Sequence, residues 1–350
     1  AAKLLSLASG QETALASCGQ VALTPLPLVF LYSGQGSQWA GMARRLYAVS
    51  ETFRAAISRC DAAFVRCGSA AIGARLFAES AQEPVEIHVI QPALFAIQVA
   101  VTAVLEQLGL VPDIVVGHSM GEVAAAYVAG ALDLTDAARI ICLRSQLLRS
   151  KSGQGAMAVL DLSLREAEQL LVDSGFADRV SVAVASSAKS TVIAGEPVAV
   201  RSLVDRLLAR EVFARLIQVD VASHSPQMDD LRQRLLEGLE GIVPRPLVKT
   251  MISTVTGQRL MGSELVAEYW VRNLRQPVLL APVLDSVLRA AESSLVEISP
   301  HPLLLTAVQQ AQHQHQRQQP ALAALRKQED DWECLLNTVG ALHSRGHRVA

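Results

Sequence analysis

The sequence has no excess of basic residues, since 31 lysines and arginines stand against 33 acidic residues, giving a formal net charge of −2. Proteins that bind nucleic acid usually carry a basic excess, so the composition disfavours a nucleic-acid partner. The sequence also lacks an uninterrupted apolar run long enough to span a membrane. Its longest apolar stretch, residues 93–111, contains four polar or charged side chains, and we interpret it as a buried helix. No secretory signal is recognisable, so we expect a cytoplasmic protein without a membrane partner.

Clusters of metal-binding residues are absent as well. The five cysteines are odd in number, and no pair has the spacing of metal ligands. We therefore expect reduced thiols and no metal site. His313 and His315 lie in a biased segment, but acidic or thiol partners are missing nearby, so we interpret it as a solvated helix end or loop. The cysteines are Cys18, Cys60, Cys67, Cys142 and Cys334.

A substantial core is possible, because 51% of the 350 residues are hydrophobic. Short apolar runs that end in glycine turns alternate with helical patterns, which predicts an α/β fold with a parallel sheet. The strands are expected at residues 28–32, 113–116 and 294–298, and the helices at 42–65, 91–108, 121–130, 135–149 (capped by Thr135) and 329–343.

The order of predicted strands and helices changes between residues 155 and 219. The pattern there is β-α-β-β-α-β, with its last strand at 216–219, and this order is typical of a small ferredoxin-like unit. We therefore predict a ferredoxin-like insertion over 155–219 within a large subdomain. The large subdomain would comprise 27–154 and 220–326, with a linker from a preceding domain at 1–26 and a C-terminal helix and linker at 327–350. Because the chain starts at Ala1 and not at Met, we expect an excised or processed piece.

A possible nucleophile lies at residues 117–121, Gly-His-Ser-Met-Gly. This segment matches the G-x-S-x-G nucleophile elbow, and it lies between a buried strand and a helix, as the elbow requires. Glycines are needed on either side of Ser119 because strand and helix backbones crowd together there. The backbone N–H of Met120 would face an oxyanion. A second glycine turn, residues 34–38, could present the N–H of Gln35 opposite it, since loops after parallel strands converge on one side of the sheet.

A serine nucleophile needs a neighbouring base, and three histidines are candidates. His224 follows the predicted insertion directly and could overhang a cleft between the two subdomains. His118 adjoins the serine, but neighbouring residues at a strand-to-turn corner point in different directions. His301, between two prolines, is a rival that the sequence alone leaves open.

Three segments in this order resemble the acyltransferase domain of type I modular polyketide synthases, a group related to malonyl-CoA:acyl carrier protein transacylases. They are residues 34–38 (Gly-Gln-Gly-Ser-Gln), 117–122 (Gly-His-Ser-Met-Gly-Glu) and 222–225 (Ala-Ser-His-Ser). The resemblance extends over about residues 28–326. It implies an α/β-hydrolase-like large subdomain with a parallel sheet, and an inserted ferredoxin-like small subdomain.

The resemblance also implies roles for individual residues. Ser119 would be the nucleophile and His224 the general base, and the backbone amides of Gln35 and Met120 would form the oxyanion hole. Arg144 matches the arginine that binds the free carboxylate of malonyl-type groups, and a planar guanidinium can bind a carboxylate with two parallel hydrogen bonds. Without the resemblance, an arginine whose end reaches solvent would remain an alternative. Asn273 falls where the family uses a backbone carbonyl to orient the histidine.

The implied reaction is a ping-pong transfer through an acyl-serine. Acyl-CoA would be the donor, and the phosphopantetheine thiol of an acyl carrier protein the acceptor, with no permanently bound cofactor. The partners would be the carrier protein, a neighbouring ketosynthase and other domains of one multienzyme. Three arginines of the insertion could face an acidic partner, although a solvated helix face is the simpler interpretation. They are Arg201, Arg206 and Arg210.

The acyl group is predicted less directly. In the family, Tyr-Ala-Ser-His accompanies methylmalonyl and His-Ala-Phe-His accompanies malonyl, whereas residues 221–224 here are Val-Ala-Ser-His. Ser223 leaves room for a branch at the α-carbon, and Gln91 belongs to a methylmalonyl-like segment. Val221 replaces the tyrosine of the methylmalonyl pattern, which would enlarge the pocket, and Met120 stands where methylmalonyl enzymes often carry glutamine. We favour methylmalonyl, followed by malonyl or a larger branched extender. Ala222, which lies between Val221 and Ser223, is assigned to acyl selectivity with them.

Two other functions remain open at this point. A serine esterase or lipase-like hydrolase could use the same elbow. A non-catalytic interaction domain with a decayed site is disfavoured, because Ser119, His224, Gln35 and Arg144 are all present.

Overall fold

The computed structural model describes residues 26–78, 83, 86–219 and 221–350. The predicted linker at 1–26 therefore lies outside the described residues except for Leu26, and Cys18 lies outside them too.

A parallel sheet of five strands forms the centre of the large subdomain, in the order β7-β2-β1-β8-β9. Strands β1 and β8 are buried along their whole length. Continuous apolar runs are typical of parallel strands covered on both faces, which is why their bounds were predictable. The strands are β1 (Leu28–Tyr32), β2 (Ile114–Gly117), β7 (Thr250–Ile252), β8 (Ser294–Ile298) and β9 (Ala321–Ala323).

Helices cover this sheet, and several differ from their predicted bounds. The predicted helix 42–65 is two helices, because Ser50 has extended backbone and its side chain accepts from the Phe53 amide, which starts a new helix. The prediction that Thr135 caps a helix is wrong, since the Asp133 side chain accepts from the Asp136 amide. The helices are α1 (Arg44–Val49), α2 (Glu51–Arg66), α3 (Gly73–Phe77), α4 (Ile87–Gln107), α5 (Gly121–Val128) and α6 (Leu134–Arg149).

Among the described residues one helix, α4, has the length and apolar composition of a membrane span. The most apolar 18-residue window of α4 is 89% buried inside the protein, where the helix packs against α2 and α6. This burial is typical of a core helix and agrees with the interpretation made from the sequence.

The inserted region forms an antiparallel sheet in the order β4-β5-β3-β6, with two helices beside it. This is the strand order of a ferredoxin-like unit, and the chain is therefore mixed α/β, as predicted. The last strand begins two residues before its predicted start. The elements are β3 (Ala156–Leu160), α7 (Leu164–Ser174), β4 (Val180–Ser187), β5 (Ser190–Gly195), α8 (Pro197–Leu208) and β6 (Ala214–Ile217).

The two sheets share one apolar core. Val29 and Val116 of the parallel sheet belong to the same buried cluster as Val184 of the antiparallel sheet. The small subdomain is thereby placed over the carboxyl ends of β1 and β2, where a cleft can form. The remaining helices are a 3₁₀ helix (Pro226–Leu231), α9 (Arg232–Gly238), α10 (Ala267–Arg275), α11 (Leu280–Ala290), α12 (Leu305–Gln314) and α13 (Asp331–His343).

Candidate active site

Ser119 occupies the sharp turn between β2 and α5, with φ of 55°. The chain can turn there only because the residues two positions before and after Ser119, Gly117 and Gly121, lack side chains. A Cβ on Gly117 would lie 2.2 Å from the Glu122 Cα, and a Cβ on Gly121 would lie 2.1 Å from the Tyr32 carbonyl oxygen. Left-handed backbone at a non-glycine residue is a strain that surrounding structure must maintain, and such strain is common at catalytic positions.

His224 lies against the serine although 105 residues separate the two in sequence. The Ser119 Oγ and His224 Nε2 atoms are 2.8 Å apart, and His224 Nδ1 is 2.8 Å from the carbonyl oxygen of Gln276. Since a carbonyl can only accept, Nδ1 carries the proton and Nε2 is free to accept from the serine hydroxyl. The backbone N–H of His224 donates to the Leu274 carbonyl at 3.0 Å, which fixes the imidazole from behind.

The predicted role of the Asn273 carbonyl is wrong, because the carbonyl that accepts from His224 belongs to Gln276. Asn273 is inside α10, where carbonyls point along the helix axis. Gln276 follows the last residue of α10 and has extended backbone, with φ −84° and ψ 158°, so its carbonyl turns outward. The sequence contained a signal for this, since Pro277 forces the preceding residue out of helical conformation.

The environment keeps His224 neutral. Burial and, to a smaller extent, the nearby Arg144 charge together lower its pKa to about 3, and the hydrogen bond to Gln276 opposes this shift. A neutral imidazole can accept the serine proton.

The other two candidate histidines make no hydrogen bond to Ser119 in the part of the chain that the structure describes. His118 Nδ1 is buried without a partner among those residues, and burial lowers the pKa of His118 to about 4. His301 lies on the loop after β8, and its Nδ1 accepts from the Lys327 amide at 3.3 Å.

The two predicted oxyanion donors lie in the same cavity as Ser119. The loop after β1 approaches the elbow closely, since a Cβ on Gly34 would be 3.6 Å from the Ser119 Cβ. Within the described ranges, neither the Gln35 nor the Met120 backbone N–H has a hydrogen-bond acceptor. Free amides beside a nucleophile can bind an oxyanion.

Arg144 on α6 is 3% exposed, so the alternative of a side chain reaching solvent is wrong. Its Nη1 donates to Asn273 Oδ1 at 2.6 Å, whereas its Nε has no partner in the described part of the chain. Burial lowers the pKa of Arg144 to about 10, against the attraction of Glu122, so the guanidinium remains charged near neutral pH. It lines the same cavity as Ser119.

This cavity of about 560 Å³ is bounded by both subdomains. Of the residues assigned to selectivity, Gln91, Val221 and Ser223 line it together with Met120. Ala222 is not among the lining residues, because it is buried in the shared core and its amide would lie 2.1 Å from a Cβ on Gly155. Sequence reasoning missed Arg215 of β6, an exposed cation in the cavity wall.

No group of three metal-binding side chains occurs among the described residues. His315 Nε2 contacts Asp285 Oδ1 at 2.7 Å, so this histidine has a protein partner. The four described cysteines are free thiols.

Comparisons with known proteins give one consistent family. A family model described as acyl transferase domain matches residues 29–349. The chain is 39% identical over 350 residues to erythronolide synthase EryA2 of Saccharopolyspora erythraea and 40% identical over 283 residues to mycoketide-CoA synthase of Mycobacterium tuberculosis. These alignments cover 98% and 81% of this chain but only 10% and 7% of the two relatives.

Solved structures similar to this chain belong to the same family. The acyltransferase domain from module 8 of the salinomycin polyketide synthase has a TM-score of 0.91 at 33% identity, covering 99% of this chain and 82% of that one. The acyltransferase domain of the polyketide synthase PpsC of Mycobacterium tuberculosis has a TM-score of 0.79 at 35% identity, covering 91% of this chain and 95% of that one.

Proposed function

Because the chain belongs to the acyl transferase domain family of modular polyketide synthases and is thus an acyltransferase, we propose that it transfers a carboxylated extender group from coenzyme A to an acyl carrier protein. The observation that carries the proposal is the Ser119 Oγ to His224 Nε2 contact of 2.8 Å in a cavity that Arg144 also lines. A nucleophile, its base and a buried cation for an anionic acyl group therefore face one space.

The reaction proceeds in two similar halves. His224 Nε2 takes the hydroxyl proton while Ser119 Oγ attacks the thioester carbonyl, and the amides of Gln35 and Met120 bind the oxyanion. The carbon–sulfur bond then breaks, and the sulfur leaves with the proton from His224. In the second half His224 deprotonates the phosphopantetheine thiol, which attacks the acyl-serine ester, and the proton returns to Ser119 Oγ.

Arg144 supplies the selectivity for a carboxylate. Because it is buried, an acyl group without a carboxylate would leave the cation unpaired in a desolvated wall, which is unfavourable. A methylmalonyl or malonyl carboxylate would offer two oxygens to the guanidinium.

Within this class, methylmalonyl is the preferred extender. Ser223 and Val221 line the cavity. Ser223 is smaller than the phenylalanine of the malonyl pattern, and Val221 is smaller than the tyrosine of the methylmalonyl pattern. The space beside the α-carbon fits a methyl branch. Malonyl and larger branched extenders follow, since one methylene changes binding by about 1–3 kcal/mol.

The remaining assignments follow from the same class of enzyme. The relatives are much longer proteins, so the carrier protein, a ketosynthase and further domains of one cytoplasmic multienzyme are the proposed partners. No permanently bound cofactor is required. Arg201, Arg206 and Arg210 are all exposed on or next to α8, and the Arg206 guanidinium lies 5.2 Å from the centroid of the Phe176 ring. A solvated helix face remains the simpler interpretation.

A competition assay tests this function. The protein is offered malonyl-, methylmalonyl- and ethylmalonyl-CoA together, and the acyl-enzyme is read as intact-protein mass, with Ser119→Ala beside the parent. We expect the methylmalonyl adduct to dominate in the parent and no adduct in the variant. Equal labelling of both proteins would remove Ser119 from the mechanism, and hydrolysis that persists when holo-carrier protein is supplied would favour the esterase alternative.

A further inference from the structure

Arg144 is held by a neutral amide and not by a carboxylate. Its Nη1 donates to Asn273 Oδ1 at 2.6 Å, and it takes part in no ion pair within the described residues. A buried arginine usually has a carboxylate partner, so a neutral acceptor here is unusual. The positive charge of Arg144 is therefore not neutralised by a direct contact.

The orientation of the Asn273 amide is fixed by two acceptors. Its Nδ2 donates to the Ser119 carbonyl at 3.0 Å and to Glu122 Oε2 at 3.0 Å. Both N–H groups are thereby used, and only Oδ1 remains to face Arg144. A flipped amide would place oxygen against two acceptors and nitrogen against a guanidinium, so Glu122 and the Ser119 carbonyl together decide which atom meets the arginine.

Glu122 is itself held rigidly, and it is fully buried on α5. The Tyr269 hydroxyl donates to Oε2 at 2.6 Å, and the Thr254 amide donates to Oε1 at 2.6 Å. Burial raises the pKa of Glu122, whereas the hydrogen bonds from Tyr269, Thr254 and Asn273 oppose that rise. These donors suit an ionised carboxylate. Its negative charge balances that of Arg144 across the Asn273 side chain, which lies between the two.

We propose that Glu122, acting through Asn273, is a positioning residue that keeps Arg144 oriented toward the acyl group and free of a competing anion. The site thereby selects acyl groups that bring their own carboxylate. The inference deepens the proposed function and rests on it. If a carboxylate occupied the place of the Asn273 amide, it would pair with Arg144 directly and compete with the carboxylate of the substrate.

Two substitutions test the arrangement from opposite ends. Asn273→Asp places an anion beside Arg144. Glu122→Gln removes the negative charge and replaces one of the two acceptor oxygens by an NH2 donor, while it keeps the side-chain shape. The matched control is Glu240→Gln, at an exposed position next to α9. For each protein, kcat/KM for acylation of Ser119 is measured with methylmalonyl-CoA and with propionyl-CoA, which differ by one carboxylate.

We expect the methylmalonyl to propionyl ratio to fall about tenfold or more in both variants, because a hydrogen bond to a charged group is lost or redirected. The control should keep the ratio of the parent. A purely structural role would lower both rate constants together and leave the ratio unchanged, and this outcome would overturn the proposal. Folded protein is identified by its thermal midpoint and by the rate at which a fluorophosphonate labels Ser119. If one variant does not fold, the methylmalonyl to propionyl ratio of the other variant tests the proposal.

The same data separate this inference from the function on which it rests. A parent protein that does not prefer methylmalonyl-CoA over propionyl-CoA contradicts the carboxylate-selective function itself. A parent that has the preference, with folded variants that keep it, contradicts only the role of Glu122 and Asn273.

Discussion

The imidazole of His224 donates its Nδ1 hydrogen to the Gln276 carbonyl at 2.8 Å, an acceptor without net charge. A carboxylate in that place would stabilise the imidazolium more strongly and raise the pKa of the histidine. The carbonyl orients the ring and raises the pKa of the histidine, but less than a carboxylate would. A dyad of this kind is sufficient for a thioester, which is already activated toward acyl transfer.

The first prediction concerns pH. Because burial lowers the pKa of His224 to about 3, the fluorophosphonate labelling rate of Ser119 should show no ionisation of this histidine near pH 6.5. The pKa of His224 is lower in the folded state than in the unfolded state. At pH values between these two pKa values, the unfolded state therefore binds more protons. The free energy of unfolding should therefore be unaffected by His224 above pH 6.5 and should fall as the pH drops from 6.5 toward 3. A labelling rate that halves near pH 6.5 would contradict the buried, neutral base.

The second prediction concerns the elbow. A Cβ at Gly121 would lie 2.1 Å from the Tyr32 carbonyl oxygen, so Gly121→Ala should force the turn apart. We expect a loss of more than about 2 kcal/mol of unfolding free energy together with loss of Ser119 acylation. Gly340 in α13 is the matched control, since nothing lies within 4 Å of its added Cβ. Gly340→Ala should be neutral or stabilising by up to about 1 kcal/mol, and chemical denaturation measures both.

The third prediction concerns Arg144. Arg144→Ala and Arg144→Lys should both lower kcat/KM for methylmalonyl-CoA by about 10 to 100-fold, because a charge-assisted pair is lost or reduced to a single donor. Ser119 should still react with a fluorophosphonate, which needs no carboxylate site. A variant that handles malonyl-type thioesters as well as the parent would exclude Arg144 as the carboxylate ligand.

The fourth prediction concerns the branch pocket. Ser223→Phe fills cavity space next to His224, so the competition assay should shift toward malonyl, with the methylmalonyl to malonyl ratio falling by about 10 to 100-fold. Val221→Tyr should exclude the larger branches, so the ethylmalonyl adduct should decrease more than the methylmalonyl adduct. An unchanged product distribution in both variants would show that neither side chain contacts the branch.

The fifth prediction concerns Arg215. It is exposed, lines the cavity and forms no ion pair in the described ranges of the chain. The phosphates of coenzyme A are a suitable counter-charge. Arg215→Ala should raise KM for methylmalonyl-CoA several-fold, and more at low ionic strength than at high. The matching N-acetylcysteamine thioester carries no phosphate and should show no change; an equal effect on both substrates would point to a general packing defect.

Particular elements show how far the sequence could be interpreted. Strands β1 and β8 have their predicted bounds because continuous burial produces an unbroken apolar run. The helix predicted at 42–65 is interrupted at Ser50, whose side chain accepts from the Phe53 amide at the start of the second helix. Hydrophobic periodicity does not detect such a cap. The observed bounds of β6 differ from the predicted 216–219 because three of its four residues are exposed, which leaves little hydrophobic pattern in the sequence.

The sequence by itself determined the sharp turn at Ser119 and the alternation of strands and helices, because both depend on neighbouring residues: glycines where backbones crowd, and apolar runs where strands are buried. The residues alone left three histidines open, and the family resemblance pointed to His224. Only the tertiary structure brings His224 against Ser119, the Gln276 carbonyl against His224, and the Asn273 amide against Arg144. These contacts join residues 52 to 129 positions apart. The packing of two subdomains over one sheet edge brings them together, and no local pattern encodes that distance.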